Sequence, residues 1–328
     1  MRGMRRAKRA GSAALLSLLL IAPAAAQSVT WRAATEYPAT AMPGEGLATF
    51  AREVDEKTGH AVQVIPEFDA PDGLTSAAIP AAVQAGRIAV GDAFSGALAG
   101  IDPVFALSSL PFVATSAEQA RALYDAARPF YAAAFARLGQ VLLYSTPWPP
   151  SGIWSRRPVT APEDLAHLKI RTYDATSSAV FRRAGANAVN ISFADTMAQL
   201  RDGRIDAVLS SGDGGAGRKL WEFTPSFTAI GYAMPLSFAT VSDTALGALD
   251  PEVRREVLAA AAETEALQWH ALIGRQENNA DVMRLNRVTI LAPSPALSAL
   301  LKTAAQAPVA EWVARAGPAA ARSLEAVR

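Results

Sequence analysis

The chain contains no cysteine among its 328 residues. That excludes disulfides, thiolate metal sites, a cysteine nucleophile and lipid attachment through cysteine. Histidine is scarce as well: only His60, His167 and His270 occur, none at metal-ligand spacing, so each reads as a surface or helix-end residue. No G-x-S-x-G elbow is present, since DAFSGA around Ser95 lacks the first glycine. No apolar run is long enough to span a membrane. The 31 basic residues against 30 acidic ones leave no basic surplus for nucleic acid. Paired carboxylates such as Asp55-Glu56 and Glu163-Asp164 read as solvated helix faces. These absences favour binding over catalysis, with no cofactor and no metal expected.

What is there is apolar. Hydrophobic residues make up 51% and charged residues 19%, which excludes a disordered protein, and the length suits two domains. The first stretch has the layout of a secretory signal: Arg2, Arg5, Arg6, Lys8 and Arg9, then the apolar run 13–22, then Ala24-Ala25-Ala26 before Gln27. Cleavage after Ala26 would export the protein to the periplasm. Loss of five basic residues would leave 26 against 30, a net charge of −4.

Along the chain, strand and helix patterns alternate, which predicts an α/β protein. Strands are expected at 29–35, 61–67 and 87–94 and in VLLYS. A helix over 44–58 stops at Gly59, another over 74–84 stops before Gly86, and Ser116 opens a long one running to Gly139. TPWPPSG (146–152) is a proline-dense break and the best candidate hinge. A second alternating unit follows: KIRTY, a helix over 175–184, AVNI, a helix over 194–202 and the strand 205–209. From Asp250 an unbroken helix is expected to about Asn286. At 1.5 Å per residue it would be on the order of 50 Å long, enough to bridge two domains.

IDAVLSSGDGGAGRKLWEF (205–223) matches G-x-G-x-x-G at Gly212, Gly214 and Gly217 after an apolar strand. A dinucleotide fingerprint would follow the first strand of its unit, with an acidic residue about 20 positions on. A phosphate loop would need Gly-Lys-Ser/Thr, where this chain has Gly217-Arg218-Lys219. The glycines therefore read as a mobile or close-packed strand-to-helix turn. It places Ser210 and Ser211 at the carboxyl end of a strand, where ligands of open α/β sheets sit.

Arg171 in KIRTYD stands in an apolar strand near its carboxyl end. A guanidinium held there can meet a carboxylate in a two-point fork, or form a structural ion pair with Asp174 or Asp195. The aromatics Tyr37, Phe94, Trp148, Trp154, Tyr173, Phe193 and Trp221 are each a core residue or a pocket wall.

These residues carry a resemblance. LAHLKIRTYDATSSAVFRRAGANAVNISFADTMAQLRDGRIDAVLSS is similar to the central signature of the extracytoplasmic solute receptors of TRAP transporters (DctP-type). FAREVDEKTGHAVQVIP and VFALSSLPFVATSAEQARALYD are typical of them too. The resemblance covers nearly the whole mature chain. It implies a two-lobed periplasmic binding protein fold with a long domain-bridging helix. Lobe I would be 27–148 plus about 236–275, and lobe II about 149–235 plus 276–328. It further implies a monomeric receptor, without catalysis, that delivers a ligand to small and large membrane subunits.

In the family the arginine of K-x-R grips the ligand's carboxylate, which here is Arg171; the aromatic after the strand is Phe193 and the acidic helix-start residue Asp195. The chain departs elsewhere. Ser151 stands near the place of a second ligand-facing arginine, and Arg156 replaces an asparagine. Phe94, with Ser95 beside it, replaces a glutamate, and Ser210-Ser211 replace another asparagine. The expected ligand is a small monocarboxylate: a keto, hydroxy or aromatic acid. Ser95, Ser210 and Ser211 would donate hydrogen bonds, and Tyr37, Phe94, Trp148, Tyr173, Phe193 and Trp221 would form walls. An exported enzyme or a sensor-associated receptor for such an acid are the alternatives.

Overall fold

The computed structural model describes residues 28–327. The expected export signal and its cleavage point lie outside them. The chain begins with β1 (Val29–Thr35), α1 (Met42–Lys57), β2 (Val62–Glu67), α2 (Ile79–Gln84), β3 (Val90–Phe94), α3 (Ala117–Ala136) and β4 (Gln140–Pro147). It continues with β5 (Ser151–Ser155), β6 (Lys169–Thr172), α4 (Ala175–Arg183), β7 (Asn187–Asn190), α5 (Phe193–Arg201), β8 (Ala207–Ser211), α6 (Gly212–Gly217) and β9 (Ser226–Thr228). Next come β10 (Leu236–Ser242), α7 (Asp243–Gly247), α8 (Pro251–Ala271) and α9 (Arg275–Leu285). β11 (Thr289–Leu291) and α10 (Pro295–Ala321) close the fold.

The strands form two sheets, one per lobe. The first runs β2-β1-β3-β10-β4, with β10 antiparallel to both neighbours. The second runs β11-β9-β5-β8-β6-β7, with β5 antiparallel to β8 and β9. Each sheet is covered on both faces, so its central strands are buried along their length rather than in alternation. In the first, Ala33, Phe50, Val90 and Val257 pack between the sheet and the α1/α8 layer; Ala34, Val83, Tyr131 and Phe238 fill the opposite side. In the second, Ile170, Phe181, Leu209 and Leu301 lie on one face and Trp154, Val208, Phe227 and Met283 on the other.

Local signals explain the helix boundaries. Ser116 accepts from the Gln119 amide and caps α3, as its pattern predicts. Asp174 caps α4 and Ser192 caps α5 in the same way. The proline-dense stretch carries the chain between lobes, and it pairs with the return segment: Trp148 N donates to Pro235 O, Ser151 N to Ala233 O and Tyr232 N to Ser151 O, each at 2.9 Å.

The expected single helix from Asp250 to about Asn286 is instead two, α8 and α9. Gly274 adopts φ 77°, a left-handed turn that glycine takes without strain and that ends the first helix. α8 packs on α1 and β4 and α9 on α6 and β11, so the bridge is made by a helix pair broken where the chain crosses. α10 packs on α4 and on the turn 103–109, where Trp312 donates to Pro103 O at 2.7 Å, and the final turn 322–327 lies on α3.

Candidate functional site

Arg171 sits in β6 between β7 and β8, paired in register with Val189 and Val208. Its side chain turns to the carboxyl ends of those strands. Nε donates to Ile191 O at 2.8 Å and Nη1 to Leu209 O at 3.2 Å. The residue is 4% exposed, and among the described residues it forms no ion pair. Both alternative acidic partners are engaged elsewhere. Asp174 accepts from Ser177 N, Ser177 Oγ and Ser109 Oγ, each at 2.6 Å, and Asp195 from Ser192 Oγ at 2.6 Å. Burial holds the Arg171 pKa below the usual arginine value, while Tyr37, Glu36, Tyr173 and Asp174 act the other way. A buried cation held by two neutral carbonyls, with the rest of its fork free, is a site prepared for an anion.

Aromatic rings enclose the space before it. Tyr37 meets Trp148 edge-on at 4.7 Å between centroids and Phe193 at 5.3 Å, and Phe94 meets Tyr173 at 5.1 Å. Trp148 is fixed by Nε1 donating to Ser237 Oγ at 3.0 Å. Phe193 lies under two guanidinium groups, Arg171 at 5.5 Å and Arg218 at 5.6 Å. The cavity has a volume of about 30 Å³, and a second one of about 150 Å³ adjoins it past Arg171, Tyr37 and Phe193 toward Glu36 and Ser192.

Eight of the ten expected residues meet at this cavity: Arg171, the five aromatics Tyr37, Phe94, Trp148, Tyr173 and Phe193, and the serines Ser210 and Ser211. Ser211 is partly committed, because its Oγ accepts from Gly214 N at 3.1 Å to cap α6. Two expectations need correction. Ser95 is fully buried away from the cavity and donates to the Phe105 carbonyl, because the turn after β3 directs it into the first lobe. Trp221 packs in the second lobe's other cluster with Trp154 and Leu220, since the chain after α6 turns away from the cleft. Trp154 is likewise core.

Of the two readings of the glycine cluster, the close-packed one holds: β8 passes directly into the short helix α6. A Cβ on Gly215 would stand 2.2 Å from the Trp154 ring, and one on Gly214 would stand 2.5 Å from Ser210 Oγ. The buried Trp154 ring leaves no room for a side chain at Gly215, whereas at Gly214 the obstacle is a rotatable hydroxyl.

Sequence reasoning did not foresee Pro235 and Gly214 in the cavity wall, nor Glu36 in the adjoining one. Ser151, known from the sequence only as the occupant of a lost arginine's place, also lines the cavity. Tyr173 Oη is buried without a hydrogen-bond partner among the described residues. Among the described residues no group of His, Cys, Asp and Glu could hold a metal ion, and no helix is long and apolar enough to cross a membrane.

Known proteins give the geometry its setting. The model of the bacterial extracellular solute-binding protein family 7, DctP, matches residues 33–315. DctP7 of Bordetella pertussis, an extracytoplasmic solute receptor binding pyroglutamic acid, is 28% identical with TM-score 0.88, covering 92% of this chain and 100% of that one. DctP6 of the same organism, also binding pyroglutamic acid, is 28% identical with TM-score 0.86, covering 92% and 99%. A TRAP solute-binding protein from a marine metagenome, specific for pyroglutamate, is 26% identical with TM-score 0.87, covering 92% and 99%. No protein of curated function matches the chain. By the match over most of its length, the chain belongs to family 7 of the bacterial extracellular solute-binding proteins, the DctP family, and is a TRAP-type extracytoplasmic solute receptor.

Proposed function

We propose that the protein captures a small organic monocarboxylate between its lobes in the periplasm and passes it to the paired membrane subunits of a TRAP permease. The single observation that carries this is Arg171: a buried guanidinium, free of any carboxylate among the described residues, at the wall of an aromatic cavity. Its free edge takes the ligand's carboxylate in a fork. Ser151, Ser210 and Tyr173 Oη offer hydroxyls to an uncharged polar group, and Tyr37, Phe94, Trp148 and Phe193 cover the carbon skeleton. Among the described residues no second cation lines this cavity, which disfavours dicarboxylates, and its largely aromatic wall suits a compact keto, hydroxy, aromatic or lactam acid better than a polyhydroxylated sugar acid. Pyroglutamate, the ligand of the three relatives, fits that description and is the first probe.

The lobes in this reading are 27–148 with about 236–275, and about 149–235 with 276–328. They close as a monomer about the crossing segments, in a mature chain cleaved after Ala26. Calorimetric titration of mature protein with L-pyroglutamate, pyruvate, lactate, benzoate, succinate and galacturonate tests the assignment. Heat from one or more of the monocarboxylates, absent in Arg171→Ala, is the expected result. Binding of succinate or galacturonate alone, or binding that survives the substitution, would reject the monocarboxylate class or the role of Arg171.

A further inference from the structure

Two helices that flank the cleft have their first turns closed by the opposite lobe. α1, on the first sheet, begins at an alanine: Ala41 occupies its N-cap and has no side-chain acceptor. Its first amide, Met42 N, instead donates to Asp213 Oδ2 of the second lobe at 2.9 Å. Asp213 is 1% exposed, and its other oxygen accepts from Arg275 Nε at 2.6 Å. Arg275 also reaches back to the first lobe, to Glu45 Oε1 at 3.0 Å and Thr40 O at 2.9 Å.

The mirror arrangement lies across the cavity. Glu36, which follows β1 and is 2% exposed, accepts from Ala194 N in the first turn of α5 at 2.8 Å and from Ser76 N of its own lobe at 2.7 Å. Arg218 of the second lobe donates to Glu36 O at 3.0 Å and pairs with Asp69 Oδ1 at 3.1 Å.

We infer that Asp213 and Glu36 are positioning residues for closure: each lobe places one buried carboxylate on a first-turn amide of a helix in the other, the sole side-chain cap of α1 and a second one beside Ser192 on α5, and this reciprocal pair holds the cleft shut. This gives the glycine cluster its purpose. Gly212, Gly214 and Gly215 let a tight helical turn carry Asp213 to α1. Gly217 lets that turn lie against the first lobe, since a Cβ there would stand 3.0 Å from Pro38 Cγ. Both caps combine an unsatisfied amide with the positive end of a helix dipole, the place where a carboxylate is favoured. Opening the cleft separates both pairs and gives Met42 N and Ala194 N to water. The caps thus stabilise only the closed state, and they act on how long a ligand is kept rather than on how it is recognised.

The inference rests on the reading of the cleft as a closing ligand site, and the test separates the two. Because the chain has no cysteine, Gln63→Cys and Arg201→Cys, exposed on different lobes, accept a fluorescent donor and acceptor without competing thiols. The doubly labelled protein is measured with and without L-pyroglutamate, as wild type, Asp213→Ala, Glu36→Ala, the conservative Asp213→Asn and Glu36→Gln, and Arg284→Gln as a surface control. The alanine variants are expected to release pyroglutamate about fivefold faster, the loss of one helix cap, with association unchanged. Their closed-distance population falls in both conditions, the amide variants fall between, and Arg284→Gln matches wild type. If any variant fails to fold, the amide variants carry the comparison. Unchanged release and closed population in the variants, or no closed population in wild type under either condition, would overturn the inference. If pyroglutamate does not bind while the closed population still drops in the variants, the caps stand and the ligand assignment falls.

Discussion

The guanidinium of Arg171 stands 5.5 Å from the centroid of the Phe193 ring, with Nε and Nη1 already bonded to Ile191 O and Leu209 O. Ring and carbonyls fix the plane of the fork, so the remaining N–H groups face the cavity in one orientation. Such preorganisation has a cost to the empty protein, because a buried cation without a counter-ion is unfavourable. Arg171→Met is therefore expected to leave the melting temperature of the ligand-free protein unchanged or raised. It should weaken carboxylate binding by on the order of a hundredfold, the scale of about 3 kcal/mol for charge-assisted hydrogen bonds. Arg171→Lys keeps the charge but loses the planar fork and should recover only part of the affinity. Calorimetry and thermal unfolding of the three proteins decide it. A large drop in ligand-free stability with affinity retained would make Arg171 a structural residue.

Asp92 gives a pH dependence. It lies at the centre of the first sheet and is fully buried, with Oδ2 unpartnered, and burial pushes its pKa up to about 7; the Thr35 hydrogen bond opposes this and Glu36 adds to it. A carboxyl whose folded pKa lies above its unfolded value binds more protons when folded. Its contribution to stability is then greatest below the unfolded pKa and is lost as pH rises through the folded one. Each pKa unit corresponds to about 1.4 kcal/mol, so the loss between about pH 4 and pH 7 amounts to a few kcal/mol. Asp174, also raised by burial, contributes in the same direction. The melting temperature should fall from about pH 5 to pH 8, and Asp92→Asn should reduce that slope. A wild-type profile that rises over this range would show that Asp92 is ionised and paired in the folded protein.

How much of this was legible beforehand follows from the range of each signal. The alternation of strands and helices, the caps at Ser116 and Asp174, and Arg171 with its aromatic neighbours were readable, because periodicity and local hydrogen bonding express themselves within a few residues. The break at Gly274 was not, since a lone glycine among helix formers does not reveal that the chain crosses between lobes there. Ser95 and Trp221 were misplaced because one residue of turn geometry decides which way a side chain points. Asp213 and Glu36 were unreadable for a different reason. Their partners, Met42 and Ala194, lie 171 and 158 positions away and are backbone amides, which leave no trace in residue identity.

Within the glycine cluster, two neighbouring substitutions should separate stability from binding. At Gly215 a Cβ would lie 2.2 Å from the Trp154 ring, which is itself fully buried and cannot yield. Gly215→Ala is expected to destabilise by about 1–3 kcal/mol or more, as overpacking does. At Gly214 the obstacle is Ser210 Oγ at 2.5 Å, a rotatable hydroxyl at the cavity wall. Gly214→Ala should therefore cost little stability and weaken ligand binding by pushing that hydroxyl into the cavity. Denaturant unfolding beside calorimetric titration tests both, and equal losses of stability would contradict the distinction.

The crossing at Gly274 supplies the last test. Its φ of 77° is a left-handed conformation, and a Cβ there would meet nothing within 4 Å, so any penalty for a side chain comes from the backbone alone. Gly274→Ala should cost about 1 kcal/mol, while Gly274→Asn, whose side chain tolerates this region, should cost less. The measurement is urea unfolding of the three proteins, with the alanine variant least stable and the m-value unchanged. If alanine is neutral, the α8–α9 break does not depend on glycine's conformational freedom. The packing of α9 on α6 would then be enough to turn the chain, and the same packing would be what holds Arg275 against Asp213.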